Sequence, residues 1–255
     1  MADTSLNAAN SNRPAHSEPT HLTGDASQAD IDSIRTQTSV FVYEWPVRLW
    51  HWLNALAITV LIVTGWFIAS PLPSMDFSEA TFQFVMGYMR FTHFAAGMIL
   101  TVGFFGRIYW AIVGNQHAKQ LFYVPIWRKT WWKEVLIELK WYAFLEKMPR
   151  KYVGHNPLAQ IAMFMFMTVG LSFMILTGWA LYSEGAGQGS WPDYAAGWVL
   201  TLFGNSQIVH SVHHLGMWFI VIFMIIHIYA AIREDIMSRQ SMVSTMISGT
   251  RTFKD

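Results

Sequence analysis

The chain has 255 residues, of which 53% are hydrophobic and only 13% are charged. That balance is too apolar for an ordinary soluble domain, and the formal net charge of +1 gives no reason to expect a nucleic-acid partner. There is no cysteine, which excludes disulfides, thiolate metal sites and cysteine-ligated iron–sulfur clusters.

Apolar residues are concentrated in four blocks, roughly 50–70, 91–113, 158–182 and 211–232. A helix needs about 20 such residues to cross the roughly 30 Å of hydrocarbon in a bilayer, and each block reaches that length. The sequence therefore predicts an all-α integral membrane protein built as a four-helix transmembrane bundle, with membrane lipid as a partner.

The chain begins with residues 1–39, which are rich in Ser, Thr, Asn, Asp and Ala. They lack the apolar region of a secretory signal peptide, so a disordered cytoplasmic tail is predicted. Pro46 suits the first turn of the first spanning helix, with His51 near its start. Asn156 and Pro157 suit the N-cap and first position of the third spanning helix.

The loops differ sharply in charge. Residues 114–156 hold eight basic and three acidic residues, whereas 72–89 and 183–209 contain no Lys or Arg. By the positive-inside rule, the middle loop and both termini face the cytoplasm. Within the middle loop, 131–145 mixes aromatic, aliphatic and charged residues, which predicts an amphipathic helix in the interface. The apolar piece 194–203 is too short to cross and predicts a re-entrant or interfacial segment.

Four histidines can be paired by depth under this topology. His213 and His227 are fourteen residues apart, which puts them on one face of the last spanning helix about 21 Å apart. His93 lies near the start of the second span, which the chain enters from the outer face. His51 lies near the start of the first span, which the chain enters from the inner face. They form an outer pair, His93 with His213, and an inner pair, His51 with His227. Two imidazoles fill both axial positions of a haem iron, so each pair predicts a haem that transfers electrons.

The remaining histidines of these segments are weaker candidates for haem ligands. His214 is the alternative to His213 in the outer pair, and helical phase favours His213. His210 lies one turn nearer the surface and is not expected to bind a haem. His117 and His155 fall in the cytoplasmic loop and are expected to be solvated rather than ligating.

Arg107 lies fourteen residues beyond His93, on the same helix face and at the depth of the inner pair. A buried arginine needs an anion, which haem propionates would supply. Arg48 and Arg90 are similar candidates, with snorkelling to the interface as an equal alternative for both.

Short motifs carry a more specific resemblance. They include Pro46-Val-Arg-Leu-Trp-His-Trp52, Thr64-Gly-Trp-Phe-Ile68, Met86-Gly-Tyr-Met-Arg-Phe-Thr-His93, Arg107-Ile-Tyr-Trp-Ala111, Gly154-His-Asn-Pro-Leu-Ala-Gln160, Gly204-Asn-Ser206, His210-Ser-Val-His213, Leu215-Gly-Met-Trp218 and Arg233-Glu-Asp-Ile-Met237. Over about residues 40–253 the sequence resembles the b-type cytochrome subunit of membrane-bound nickel–iron hydrogenases, which is related to the formate dehydrogenase gamma subunit.

The resemblance implies two haem b groups held by His51, His93, His213 and His227 in the bacterial inner membrane. Such subunits take electrons from periplasmic hydrogen oxidation, through the iron–sulfur small subunit that accompanies the nickel–iron large subunit. The electrons pass from the outer to the inner haem and then to quinone near the cytoplasmic face.

In the formate dehydrogenase relatives the quinone pocket adjoins the inner haem and the start of the third span. The resemblance therefore implies His155 and Asn156 as quinone-site residues, with His155 as a source of cytoplasmic protons. Helix capping alone is the alternative for Asn156. No catalytic nucleophile is apparent in the sequence. No bond-making chemistry is therefore expected beyond proton-coupled quinone reduction.

The predicted domains are the tail 1–39, a four-span dihaem cytochrome b domain 40–238, and a cytoplasmic C-terminal tail 239–255. Three alternative functions remain open at this point. They are the cytochrome b of a formate dehydrogenase, a stand-alone cytochrome b561-like electron carrier, and a histidine-lined metal transporter, which would lack a haem Soret band.

Overall fold

The computed structural model describes residues 39–71, 84–147 and 150–253. The predicted disordered tail, 1–39, therefore lies outside the described residues except for its last residue. In chain order the elements are β1 (Ser39–Phe41), α1 (Trp45–Ala69), α2 (Val85–Val113), a 3₁₀ turn (Ala118–Leu121), α3 (Lys129–Tyr142), α4 (Pro157–Ala186), a π-helical turn (Asp193–Gly197), α5 (Trp198–Leu202), α6 (Ser206–Met237), α7 (Met242–Ser248) and β2 (Thr250–Thr252).

Four helices are long and apolar enough to cross a membrane. Helices α1, α2, α4 and α6 contain 25, 29, 30 and 32 residues. At about 1.5 Å per residue, even the shortest exceeds the roughly 30 Å hydrocarbon layer. The predicted all-α four-helix transmembrane bundle is confirmed, and the chain is a multi-pass membrane protein. The helices are longer than the apolar blocks because their ends continue into polar sequence, as at Arg233 and Glu234 in α6.

Local sequence signals set the starts of the spanning helices. Pro46 lies in the first turn of α1, where its missing N–H is not needed. The Asn156 side chain caps α4 by accepting a hydrogen bond of 2.7 Å from the Ala159 N–H. Asn205 caps α6 in the same way through the Ile208 N–H, at 2.9 Å. The predicted capping role of Asn156 is therefore present.

The spanning helices pack around a shared apolar core. Its buried residues come from all four helices and include Ala57, Leu100, Phe104, Leu171 and Ile220. Many large apolar side chains on the outer faces are exposed instead, which suits helices that contact lipid rather than water. Helix α4 contains a π-helical segment, Phe164–Gly170, that its sequence did not predict.

The predicted amphipathic helix of the middle loop is present as α3, over Lys129–Tyr142. Trp131, Val135, Glu138 and Trp141 form its buried stripe. Their spacing of three and four residues places them on one helix face. A second apolar stripe, which includes Leu136, is exposed and is available to the membrane interface.

Arg233 fastens the end of α3 to the C-terminal end of α6. Its guanidinium donates to the Trp141 carbonyl at 2.9 Å and to the Tyr142 carbonyl at 3.2 Å. It also lies 4.2 Å from the centre of the Trp141 ring, within cation–π range. These contacts satisfy carbonyls that a helix C-terminus leaves without intrahelical partners.

The buried carboxyl of Glu138 should make the stability of the folded protein depend on pH. Only 1% of its side chain is exposed. Burial raises the pKa of its carboxyl to about 7, and the neighbouring Glu234 carboxyl adds to the shift. The folded protein therefore keeps a proton that the unfolded chain releases, so stability falls as pH rises from 4.5 to about 7. We expect this loss to be about 3 kcal/mol, because each pKa unit corresponds to about 1.4 kcal/mol.

Thermal unfolding in detergent at about pH 5 and about pH 8 tests this linkage. Glu138→Gln should unfold with a much smaller pH difference than the wild-type chain. The matched control is Glu146→Gln, which changes an exposed carboxyl and should leave the difference unchanged. Equal pH dependence in the wild-type and Glu138→Gln chains would contradict the linkage.

Residues 239–253, which were predicted only as part of a C-terminal tail, fold back onto the start of the described chain. Strands β1 and β2 pair antiparallel, with Ser39 opposite Thr252. The N–H groups of Val42 and Tyr43 donate to the Gly249 carbonyl at 2.8 and 3.1 Å. Strands of three residues carry too little alternation to be recognised in the sequence.

Candidate functional site

The structure brings the four predicted histidines together as the two predicted pairs. The ring centres of His51 in α1 and His227 in α6 lie 6.3 Å apart. Those of His93 in α2 and His213 in α6 lie 6.5 Å apart. Helix α6 therefore contributes one histidine to each pair, and α1 and α2 contribute the others.

These separations fit an iron atom between two imidazoles. A metal–imidazole nitrogen bond is about 2 Å, and the ring centre lies about 1 Å behind the nitrogen, so two rings that share an ion have centres about 6 Å apart. Among the described residues, no group of three or more His, Cys, Asp or Glu side chains could hold a metal ion. Two imidazoles at each site suit a haem, whose macrocycle supplies the remaining ligands.

Three glycines lie close to the outer pair. Gly97 lies one turn beyond His93, and a Cβ atom built there would meet no atom within 4 Å. Gly65 and Gly178 lie against the rings of His93 and His213, where a Cβ atom would come within 3.3 Å of each ring. Small residues at these positions let helices and cofactor approach closely.

Two threonines hold the outer histidines, and neither was predicted from the sequence. Thr64 Oγ1 lies 2.9 Å from His93 Nδ1, and Thr177 Oγ1 lies 2.8 Å from His213 Nδ1. Metal-binding histidines commonly use their second ring nitrogen in this way. The one signal in the sequence is the repeated tripeptide Thr-Gly-Trp, at 64–66 and 177–179.

The inner histidines have a more apolar environment. The ring of His227 stacks on Phe223, with centres 5.5 Å apart. The ring of His51 meets the edge of Trp52 at 5.0 Å. Within the described part of the chain, His51 Nδ1 is buried and has no hydrogen-bond partner.

His214 and His210 lie outside both pairs. The His214 ring lies 6.5 Å from that of Trp218, and its Nε2 atom is buried with no hydrogen-bond partner among the described residues. His210 is exposed, and its Nδ1 lies 3.0 Å from the Ser206 carbonyl. Between the neighbours His213 and His214, it is His213 whose ring faces that of His93.

Arg107 is buried, with 4% of its side chain exposed. One guanidinium nitrogen, Nη2, donates to the Ala118 carbonyl at 2.6 Å. Its Nε and Nη1 atoms are buried and have no partner within the described chain. The guanidinium lies 5.6 Å from the ring centre of Trp50, the residue before His51. These unpaired donors are free to bind an anion, and a contact with a haem propionate stays a prediction.

Arg48 and Arg90 differ from Arg107. Arg48 donates to the Ile247 carbonyl near the end of α7, so its guanidinium fastens the C-terminal segment to α1. Arg90 is exposed near the start of α2, in keeping with a snorkelling side chain.

The expected solvation of His117 is wrong, since only 7% of its side chain is exposed. Residues 115–121 fold underneath α2, where the Asn115 side chain accepts from the His117 and Ala118 N–H groups at 3.0 Å. Burial, and then the Arg251 charge, lower the pKa of His117.

His155 is also enclosed rather than solvated. Its Nδ1 lies 3.2 Å from both Tyr43 Oη and Gln120 Oε1. Burial, followed by the charges of Arg251 and His227, lowers the pKa of His155 to about 3. The ring is therefore neutral near pH 7, which does not suit the predicted role of a protonated donor.

Asn156 is 4% exposed and uses both ends of its amide within the protein. Its Oδ1 caps α4, and its Nδ2 donates to Glu234 Oε1 at 3.1 Å. The Tyr142 hydroxyl donates to the same carboxylate oxygen at 3.1 Å. Glu234, seven residues beyond His227 and so two turns along α6, was not singled out from the sequence.

Comparisons with known proteins identify the family of the chain. The model of the family described as "Prokaryotic cytochrome b561" matches residues 42–249. A relative from Rhodobacter capsulatus is 68% identical over 238 residues, which cover 93% of this chain and 91% of that protein. It is described as "Probable Ni/Fe-hydrogenase B-type cytochrome subunit".

More distant relatives have the same description. One from Azotobacter vinelandii is 59% identical, with 91% of this chain and 95% of that protein covered. One from Escherichia coli K12, described as a "Probable Ni/Fe-hydrogenase 1 B-type cytochrome subunit", is 50% identical, with coverage of 85% and 92%. The resemblance found in the motifs is confirmed, and a b-type cytochrome implies haem b. The chain therefore belongs to the prokaryotic cytochrome b561 family.

Proposed function

We propose that this chain is the dihaem b membrane subunit of a nickel–iron hydrogenase complex and that it passes electrons from periplasmic hydrogen oxidation to membrane quinone. The observation that carries the proposal is the presence of two histidine pairs with ring centres 6.3 and 6.5 Å apart. The descriptions of the relatives support a hydrogenase partner. The proposed contacts are its iron–sulfur small subunit and, through that, its nickel–iron large subunit.

Each pair would hold one haem b, which when bound supplies reversible one-electron transfer. His93 and His213 provide the outer ligands, and His51 and His227 provide the inner ones. With two imidazoles to hold each haem, the protein would use the group for electron transfer and not for binding oxygen or substrate. Arg107 supports this assignment, since it offers unpaired donors to a propionate beside the inner pair.

The direction of transfer follows from the proposed topology. With both termini and the middle loop in the cytoplasm, α1 starts and α6 ends at the inner face of the bacterial inner membrane. His51 lies six residues after the start of α1, and His227 ten residues before the end of α6. His213 lies seven residues after the start of α6, close to the periplasm. Electrons would then enter at the outer pair and leave at the inner pair.

The quinone is proposed to bind beside the inner pair, near His155 and Asn156. Asn156 donates to Glu234, which lies two turns beyond His227 on α6, and this contact supports that location. A groove of about 410 Å³ between α2 and α4 is the alternative. Its lining includes Lys119, Tyr123 and Thr168. Those side chains offer hydrogen bonds to a quinone head group.

Membranes that contain the complete complex test the function. Hydrogen should reduce the haems and then added quinone, and the tagged chain should copurify with the two hydrogenase subunits. Reduction by formate but not by hydrogen would overturn the hydrogenase assignment in favour of a formate dehydrogenase. Electron transfer without any peripheral subunit would favour a stand-alone cytochrome, and a purified chain with no Soret band would favour a metal transporter.

A further inference from the structure

The repeated tripeptide Thr-Gly-Trp occupies equivalent places in two helices. Thr64 is 19 residues beyond the first residue of α1, and Thr177 is 20 residues beyond the first residue of α4. In each case the next spanning helix carries an outer histidine, which is His93 in α2 and His213 in α6. The chain therefore presents the same local motif to both outer imidazoles, one from each half of the bundle.

The two contacts have the same geometry. The distances from threonine Oγ1 to histidine Nδ1 are 2.9 Å for Thr64 and 2.8 Å for Thr177. The glycine that follows each threonine lies against the Cε1 atom of the same ring, and an added Cβ atom would come within 3.3 Å in both places. The threonine fixes the rotation of the ring while the glycine lets it approach the helix.

The direction of each hydrogen bond can be assigned. The Thr64 hydroxyl donates to the Val60 carbonyl at 2.7 Å, and the Thr177 hydroxyl donates to the Phe173 carbonyl at 2.8 Å. A hydroxyl has one proton, so each threonine oxygen must accept from the Nδ1–H of its histidine. The Nε2 atom of each ring is then unprotonated and is the nitrogen available to an iron.

The inner pair lacks this arrangement. His51 Nδ1 is buried without a partner in the described chain, and the His227 ring stacks on Phe223. An imidazole that donates from its second nitrogen is a more basic ligand and favours the oxidised metal. The outer ligands should therefore favour ferric iron more strongly than the inner ligands do.

We propose that Thr64 and Thr177 are positioning residues that fix the outer imidazoles and hold the outer haem at a lower midpoint potential than the inner haem. This inference rests on the proposed dihaem function. A lower outer potential makes electron transfer from the outer to the inner haem favourable, which is the direction that quinone reduction at the cytoplasmic face needs.

Redox titration of the purified holoprotein, followed by optical and EPR spectroscopy, tests the proposal. Thr64→Val and Thr177→Val keep the shape of the side chain but remove the acceptor, and we expect the outer potential to rise. In the double variant the ratio of reduced to oxidised outer haem, at one ambient potential, should increase about tenfold, which is about 59 mV for a one-electron couple. Thr64→Ser and Thr177→Ser keep the acceptor and should titrate like the wild-type protein.

The outer signal is assigned by repeating the titrations in a His227→Ala background, where only the outer haem should remain. Thr59→Val is the matched control, because Thr59 also donates to a carbonyl of α1, at 2.8 Å, but contacts neither pair. Selective loss of the outer haem in the Val variants, with retention in the Ser variants, also supports the positioning role.

Three results overturn the inference, and each differs from failure of the proposed function. They are an outer potential unchanged by the double Val substitution, equal shifts of both haems, and an outer potential above the inner one in the wild-type protein. A wild-type chain that contains fewer than two haems would instead contradict the dihaem proposal itself.

Discussion

The His227→Ala protein is expected to contain one haem per chain and to reduce quinone with hydrogen at least about 100-fold more slowly than the wild type. Loss of a partner that only orients a ligand typically costs 10–100-fold, so loss of the ligand should cost more. The proposed outer ligands lie elsewhere, His93 on α2 and His213 about four turns away on α6, with ring centres 6.5 Å apart. The remaining haem should therefore still be reduced by hydrogen.

The experiment separates electron arrival from electron delivery. Haem reduction by hydrogen is followed spectroscopically in the same membranes in which quinone reduction is measured. His51→Ala should give the same result, because it removes the other inner ligand. The matched control is His210→Ala, an exposed histidine of the same helix, which should keep both haems. Two low-spin haems in the His227→Ala protein would show that the inner assignment is wrong.

The second large effect concerns the outer pair, where two adjacent histidines compete. His213→Ala should lose the outer haem. Hydrogen should then no longer reduce the inner haem, because electrons enter through the outer one. His214→Ala should retain both haems, since the His214 ring lies beside Trp218 and not opposite His93. The pair of variants differs by one position in the chain, so general damage to α6 cannot explain opposite results.

Haem content and hydrogen-dependent haem reduction are measured on both variants. Addition of a soluble reductant such as dithionite should still reduce the inner haem of His213→Ala, which shows that the inner site survives. If His214→Ala lost the outer haem and His213→Ala kept it, the ligand assignment would have to be exchanged between the two residues.

The transmembrane fold could be predicted from the sequence because hydrophobic length and helical geometry determine it locally. The two histidine pairs followed from depth and helical phase, and the structure places His51 beside His227 and His93 beside His213. These properties depend on a repeat of 3.6 residues within single helices, which the sequence displays directly.

The supporting contacts could not be predicted because they depend on which helix faces which. Thr64 and Thr177 reach histidines 29 and 36 residues away, so their role required the packing of α1 on α2 and of α4 on α6. The burial of His117 likewise required the fold of the loop after α2. Arg251, which donates to the carbonyls of Tyr152 and Gly154, gave no sequence signal beyond its charge.

If the proposed function is correct, the chain holds two haem b groups, each between two histidines. A pyridine haemochrome assay on the purified chain, normalised to protein by amino-acid analysis, measures the number of haems. We expect two haem b per chain, both low-spin by EPR. One haem per chain, none, or a high-spin centre with an open axial position would contradict it.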